Sequence, residues 1–131
     1  MIYQLDTNAI NDLLREQEPL MTHFRRVRDH ARFILCPVVD FEIRRYLLLK
    51  AATRNLAHYE TLISAWYQPV TTLADWRHAA ELWAQRHRIG NPISDADLLI
   101  AVCALRHNAI LVTNNTAHFL GIGLQLADWR Q

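Results

Sequence analysis

The sequence predicts an α/β fold: three layers, with a central parallel sheet of about four to five strands between helices. Three observations point there. Short apolar runs alternate along the chain with longer segments of helical period. Two of the runs, Phe33-Ile34-Leu35-Cys36 and Ala109-Ile110-Leu111-Val112-Thr113, are almost continuously apolar, as in strands covered on both faces. The length of 131 residues, with 51% hydrophobic, suits a single domain over residues 1–131 with one core.

The elements follow in order. Residues 1–5 form a short strand that meets Asp6-Thr7-Asn8, a helix start. Asn8 to Arg15 is helical until Glu18-Pro19 breaks it. Leu20, Phe24 and Val27 give helical spacing over Leu20 to His30. After the Phe33–Cys36 strand, Pro37 opens a helix reaching Ala52. Thr53 to Trp66 is the next helix, and Tyr67 to Leu73 is a β-branched strand candidate with a proline near its start. Asp75 to Arg88 is amphipathic, with Trp76, Ala79, Ala80 and Trp83 on one face. Gly90-Asn91-Pro92 is a loop. Ser94 caps a helix to His107 that is apolar almost all round and therefore buried. The Ala109–Thr113 strand, a short helix from Asn114 to Leu120 and a last short strand within Leu124–Trp129 complete the chain.

Composition narrows the function. Charged residues make up 21%, a globular norm that excludes disorder as the main state. No apolar run is long enough for a membrane span, and Met1-Ile2-Tyr3-Gln4-Leu5-Asp6 does not read as a signal peptide, so a cytoplasmic location is expected. Cys36 and Cys103 sit among apolar residues and read as buried thiols in a reducing compartment. Three glycines leave no Gly-rich phosphate loop. Thirteen of the fourteen basic residues are arginine, Lys50 being the exception. Arginine suits phosphate, but Arg25, Arg26, Arg28 and Arg32 serve equally well as the solvated face of a helix. A nucleic-acid role needs separate chemistry.

That chemistry lies in four residues. In open parallel sheets, ligands bind beyond the carboxyl ends of the strands. Asp6 follows the first strand, Glu42 lies in the helix after the second, and Asn115 follows the strand ending at Thr113. Asp97, in the first turn of the helix feeding that strand, joins them if its N-terminus packs at the same rim. Three carboxylates and an amide make a hard-oxygen site suited to Mg²⁺ or Mn²⁺. Such an ion activates water and neutralises charge developing on a phosphate. The seven histidines form no cluster at zinc spacing. Each residue also has a plainer role. Asp6-Thr7-Asn8, Ser94-Asp95-Ala96-Asp97 and Asn115-Thr116 can serve as helix caps, and Glu42 as an exposed acid near Arg45.

Leu5-Asp6-Thr7-Asn8, Pro37-Val38-Val39-Asp40-Phe41-Glu42, Ile93-Ser94-Asp95-Ala96-Asp97-Leu98-Leu99-Ile100-Ala101, Ile110 to Phe119 and Ala127-Asp128-Trp129 together resemble a PIN-domain ribonuclease. In order, spacing and length the set is similar to the VapC-type toxins of toxin–antitoxin modules, over essentially the whole chain. The resemblance implies a PIN-like α/β/α fold and a Mg²⁺-dependent endoribonuclease, with Mn²⁺ as an alternative ion. It implies Asp6, Glu42 and Asp97 as the metal site and Asn115 as a fourth catalytic position, with Thr7, Asn8 and Thr113 in support. Asp97 is preferred to Asp95 because it directly precedes Leu-Leu-Ile-Ala. Many relatives carry aspartate at the position of Asn115, so asparagine there lowers the site's negative charge and favours one ion over two. The implied partners are an RNA substrate, a small VapB-type antitoxin and a second copy of the chain in a homodimer.

Rival functions are a PIN nuclease of RNA maturation without an antitoxin, and a nuclease-dead PIN module binding RNA or a partner. The three acids argue against the second. An aspartyl phosphatase wants an acid where Asn8 stands, and a receiver domain wants a lysine nearer the site than Lys50. Residues 38–66 carry Phe41, Tyr46, Leu47, Leu48, Leu49, Leu56, Tyr59, Leu62 and Trp66, more apolar surface than one sheet face needs. Part of it is expected to receive a partner helix or the second subunit.

Overall fold

A computed structural model describes residues 1–131. The elements run β1 (Ile2–Leu5), α1 (Thr7–Leu14), α2 (Leu20–Val27), β2 (Arg32–Ile34), α3 (Pro37–Leu49), α4 (Thr53–Ile63), α5 (Leu73–Arg88), α6 (Asp95–Arg106), β3 (Ile110–Val112) and β4 (Gln125–Ala127). The four strands pair in parallel in the order β2-β1-β3-β4, and the helices flank the sheet in an α/β/α arrangement. Tyr3 of β1 lies opposite Phe33 on one side and Ile110 on the other. The chain leaves β1 toward β2 and returns on the other side of β1 as β3. That reversal opens a crevice at the carboxyl ends of β1 and β3, where open parallel sheets bind ligands.

The core is apolar because β1, β2 and β3 are covered by helices. Leu5, Ile10, Leu35, Val39, Ile100 and Leu111 are all almost completely buried. Helix α6 is buried nearly all round, through Leu98 and Ile100 to Ala104, as its apolar sequence predicts. Cys36 and Cys103 are free, buried thiols. Gln4, in β1, is fully buried, and its Nε2 donates to Ile100 O at 2.9 Å, tying the strand to α6.

Four sequence expectations need correction. Tyr67 to Leu73 is not a strand. Its one pairing is a bridge from Tyr67 to Ile34, and Pro69, with no N–H, cannot extend it. Leu73 instead opens α5, which Thr72 and Asp75 close with a reciprocal capping box. The face α5 buries overlaps the expected one only at Ala79. Asp75, Ala79, Leu82 and Arg86 point inward, while Trp76 and Trp83 are 54% and 46% exposed beside Leu98 and Leu99. The segment after β3 forms a 3₁₀ turn over Thr116–Phe119 only, shorter than the expected helix. Helix α2 stops at Val27, α3 at Leu49 and α4 at Ile63, each three residues early; past α3, Ala51 turns into the left-handed region at φ 50°.

Arg25, Arg26, Arg28 and Arg32 are exposed, the solvated placement. Of the apolar residues in 38–66, Leu47 and Tyr59 are buried and Leu56, Leu62 and Trp66 half-buried. Phe41, Tyr46, Leu48 and Leu49, all on α3, are exposed.

Asp75 combines two roles: it closes the α5 capping box and meets Arg106 Nε at 2.9 Å while itself buried. Asp75→Ala should cost about 2–3 kcal/mol. Breaking a buried pair is costly and the cap adds about 1 kcal/mol, but the partly exposed Arg106 can rehydrate. Chemical denaturation checks this, and an unchanged midpoint would refute it.

Candidate active site

The crevice is built on β1. Asp6 N–H donates to Val112 O at 2.9 Å, so the residue continues the pairing with β3 and its side chain emerges at the strand end. Its backbone is extended, and the carboxylate is held from two sides. Oδ1 accepts from Thr7 N–H at 2.8 Å, and Oδ2 accepts from the Thr113 hydroxyl at 2.8 Å. Asn8 Nδ2 stands 3.4 Å from Oδ2. Asp6 caps α1 only through the adjacent amide, not through the second or third amide that a strong cap uses. Its geometry suits fixing the carboxylate more than capping the helix.

Glu42 reaches the same place from α3. Its Oε1 accepts from the Thr7 hydroxyl at 2.8 Å, and Arg45 Nη2 lies 3.8 Å from Oε2. Thr7 therefore links two acids, giving its amide to Asp6 and its hydroxyl to Glu42. Asp97 comes from the first turn of α6. Ser94 Oγ accepts from the Asp97 amide at 3.1 Å, so Ser94 is the cap and the Asp97 carboxylate is free for another role. It is half-buried, with Oδ2 3.5 Å from His118 Nδ1. Asp95 is exposed and lines the groove beside Trp76 and Trp83.

Thr113 is fully buried and relays the strand end: its hydroxyl donates to Asp6 and accepts from Asn115 N–H at 3.0 Å. Asn8 Oδ1 accepts from Asn114 N–H at 3.0 Å, and Asn114 Nδ2 donates to Asp12 at 3.2 Å. Asn115 contributes its backbone to this frame and leaves its side chain exposed at the rim.

Asp6 feels the other two carboxylates. Burial pushes the Asp6 carboxyl above its ordinary value of 3.8. The hydrogen bonds from Thr113 and Thr7 oppose that rise, and the charges of Asp97 and Glu42 add to it. No three acidic, histidine or cysteine side chains close into a ready-made metal cage. The donor set nevertheless fits a hard divalent cation that takes one or two carboxylates and keeps several waters. A cation would also relieve the repulsion that raises Asp6.

Four contributors to this region lie outside the predicted site residues. His118 approaches Asp97, Asn114 braces Asn8, Arg45 leans on Glu42, and Arg86 anchors the loops behind the crevice. His118, Asn114 and Arg86 depend on contacts made only when the chain folds, whereas Arg45, at helical spacing, is the neighbour the sequence itself offers Glu42.

A family model described as PIN domain matches residues 3–121. No curated protein sequence matches the chain. Among solved structures, a chain of VapBC2 from Rickettsia felis, crystallised with a DNA fragment from the VapBC2 promoter, superposes with a TM-score of 0.87 at 25% identity, covering 98% of this chain and 99% of that one. A chain of VapBC-1 from nontypeable Haemophilus influenzae gives 0.78 at 28% identity, covering 100% of both. A chain of DNA-bound VapBC from Salmonella typhimurium gives 0.82 at 27% identity, covering 98% of both.

Proposed function

The chain belongs to the PIN-domain family, and from that premise we propose that it is a Mg²⁺-dependent endoribonuclease and the toxin of a VapBC-type toxin–antitoxin pair. The observation that carries the reading is Asp6. It is a buried carboxylate fixed by two donors, and its carboxyl is pushed up by burial and by the charges of Asp97 and Glu42. A capping aspartate needs no such company.

Asp6 and Asp97 would hold the ion, with Glu42 a ligand either directly or through water. Mg²⁺ or Mn²⁺ there supplies activation of water and neutralisation of charge on the scissile phosphate. The remaining work falls to the chain itself. Thr113 and Thr7 lock the rotamers of Asp6 and Glu42, so the acids need not reorganise when RNA arrives. The Asn115 amide, exposed at the rim, can donate to a phosphate oxygen without adding negative charge. Arg45, exposed beside Glu42, is placed to hold the RNA backbone. Recognition of single-stranded or looped RNA would rest on surface shape.

Partner binding is supported by exposed apolar surface. Phe41, Tyr46, Leu48 and Leu49 on α3, and Trp76 and Trp83 on α5, leave two apolar faces open. They would receive a small VapB-type antitoxin and the second subunit of a homodimer, in the cytoplasm. The solved VapBC structures support the antitoxin assignment.

A homogeneous preparation should cleave single-stranded or looped RNA with Mg²⁺ or Mn²⁺ and stop when the ion is chelated. Full cleavage in excess EDTA would overturn the metal mechanism. A small protein encoded beside the gene should co-purify and suppress cleavage; a gene with no such neighbour would favour RNA maturation without an antitoxin.

A further inference from the structure

Arg86 is only 4% exposed, and its hydrogen bonds go to three main-chain carbonyls. Nε donates to Asn91 O at 2.8 Å, Nη1 to Leu120 O at 2.7 Å and Nη2 to His118 O at 3.3 Å. A buried cation is tolerated only where its donors are satisfied, and leucine would fill the same space at lower cost. The three acceptors belong to two segments. Asn91 lies in the loop that leads into Ser94, α6 and Asp97. His118 and Leu120 close the segment that starts at Thr113 and Asn115. The same two segments meet again at the crevice, where His118 Nδ1 lies 3.5 Å from Asp97 Oδ2. Only a planar fork with several fixed donors reaches acceptors spread this way; an ammonium offers its donors from one point.

We propose that Arg86 is a positioning residue: it fixes the spacing between Asp97 and the Asn115–His118 segment, and thereby the approach of Asp97 to Asp6. The effect on the cation site rests on the nuclease reading above; the tie itself does not.

The test compares wild type with Arg86→Lys and Arg86→Gln by backbone amide exchange, Mn²⁺ titration and RNA cleavage. Exchange should accelerate in residues 89–94 and 114–121, with β1 and β3 unchanged. Mn²⁺ affinity should fall at least roughly tenfold, the range for residues that orient metal ligands. kcat should fall while KM for RNA holds. Unchanged exchange, or acceleration spread evenly over the chain, would overturn the tie. Faster local exchange with wild-type Mn²⁺ affinity would overturn the positioning role. If both variants fail to fold, the Arg86 Nε–H in the wild type decides: slow exchange with solvent supports the tie, and exchange as fast as in a free arginine overturns it. A wild type that neither binds Mn²⁺ nor cleaves RNA would overturn the nuclease reading and leave the tie to be judged by exchange alone.

Discussion

Asp97→Asn should abolish cleavage almost completely while leaving the protein folded. The carboxylate makes no capping bond, because Ser94 supplies the cap through the Asp97 amide. Its loss as a first-turn acid costs only about 0.3–1 kcal/mol. Against that, the change removes a charge that raises the neighbouring Asp6 carboxyl. Stability without an ion should therefore stay near wild type or rise. Mn²⁺ affinity and RNA cleavage should fall together, by roughly a hundredfold or more, because a hard cation has few other protein ligands here. Asp95→Asn is the internal control. It sits two residues away, exposed on the far groove, and should change cleavage little. Thermal melting with and without Mg²⁺, beside cleavage rates for both variants, separates ligand from cap. A near-wild-type rate for Asp97→Asn would show that the residue is a helix-end acid and nothing more.

Asp6→Asn should stabilise the ion-free protein at neutral pH, by an amount that shrinks as pH falls. Burial, with Asp97 and Glu42 adding to it, places the folded-state value above the ordinary 3.8. The folded protein thus binds the Asp6 proton more tightly than the unfolded chain. That contribution is fully present below 3.8 and is lost as pH rises through the raised folded value. Above that raised value the ion-free wild type carries a buried, repelled carboxylate, which the asparagine variant does not. The amide keeps an oxygen for the Thr7 N–H, and the Thr113 hydroxyl can accept from its NH₂. Ion-free Asp6→Asn should melt higher than wild type at pH 7, and the difference should close below pH 4. Mg²⁺ at a hundred times its Kd should stabilise the wild type by about 2.7 kcal/mol and the variant hardly at all. Melting curves across this pH range check both signs; a variant that melts lower at pH 7 without an ion would refute the electrostatic account.

The meeting of Asp6, Thr7, Glu42 and Thr113 is more legible in the sequence than the helices around it, for a physical reason. Asp6 and Thr113 stand directly after apolar runs, and a parallel sheet brings all carboxyl strand ends to one edge. Position along the chain is then nearly position in space. The inward face of α5 does not follow from hydrophobic spacing because two of its four buried residues are charged. Asp75 is compensated by Arg106, and Arg86 by the carbonyls of Asn91, His118 and Leu120. Both sets of partners lie beyond the helix, so hydrophobic spacing pointed to Trp76 and Trp83 instead. The missing strand at Tyr67 has a similar cause: the β-branched composition is right, but Pro69 ends the pairing after one bridge. Asn114 carries no local signal because its bonds to Asn8 and Asp12 span more than a hundred residues.

The central claim is that Asp6, Glu42 and Asp97 act together as one cation site. Titration with Mn²⁺, following the free ion by electron paramagnetic resonance, tests it without RNA, antitoxin or turnover. The wild type should bind the ion in one saturable step. Asp6→Asn, Glu42→Gln and Asp97→Asn should each weaken that step sharply, with Asp95→Asn unchanged. Wild-type binding in a protein carrying all three substitutions would contradict the account.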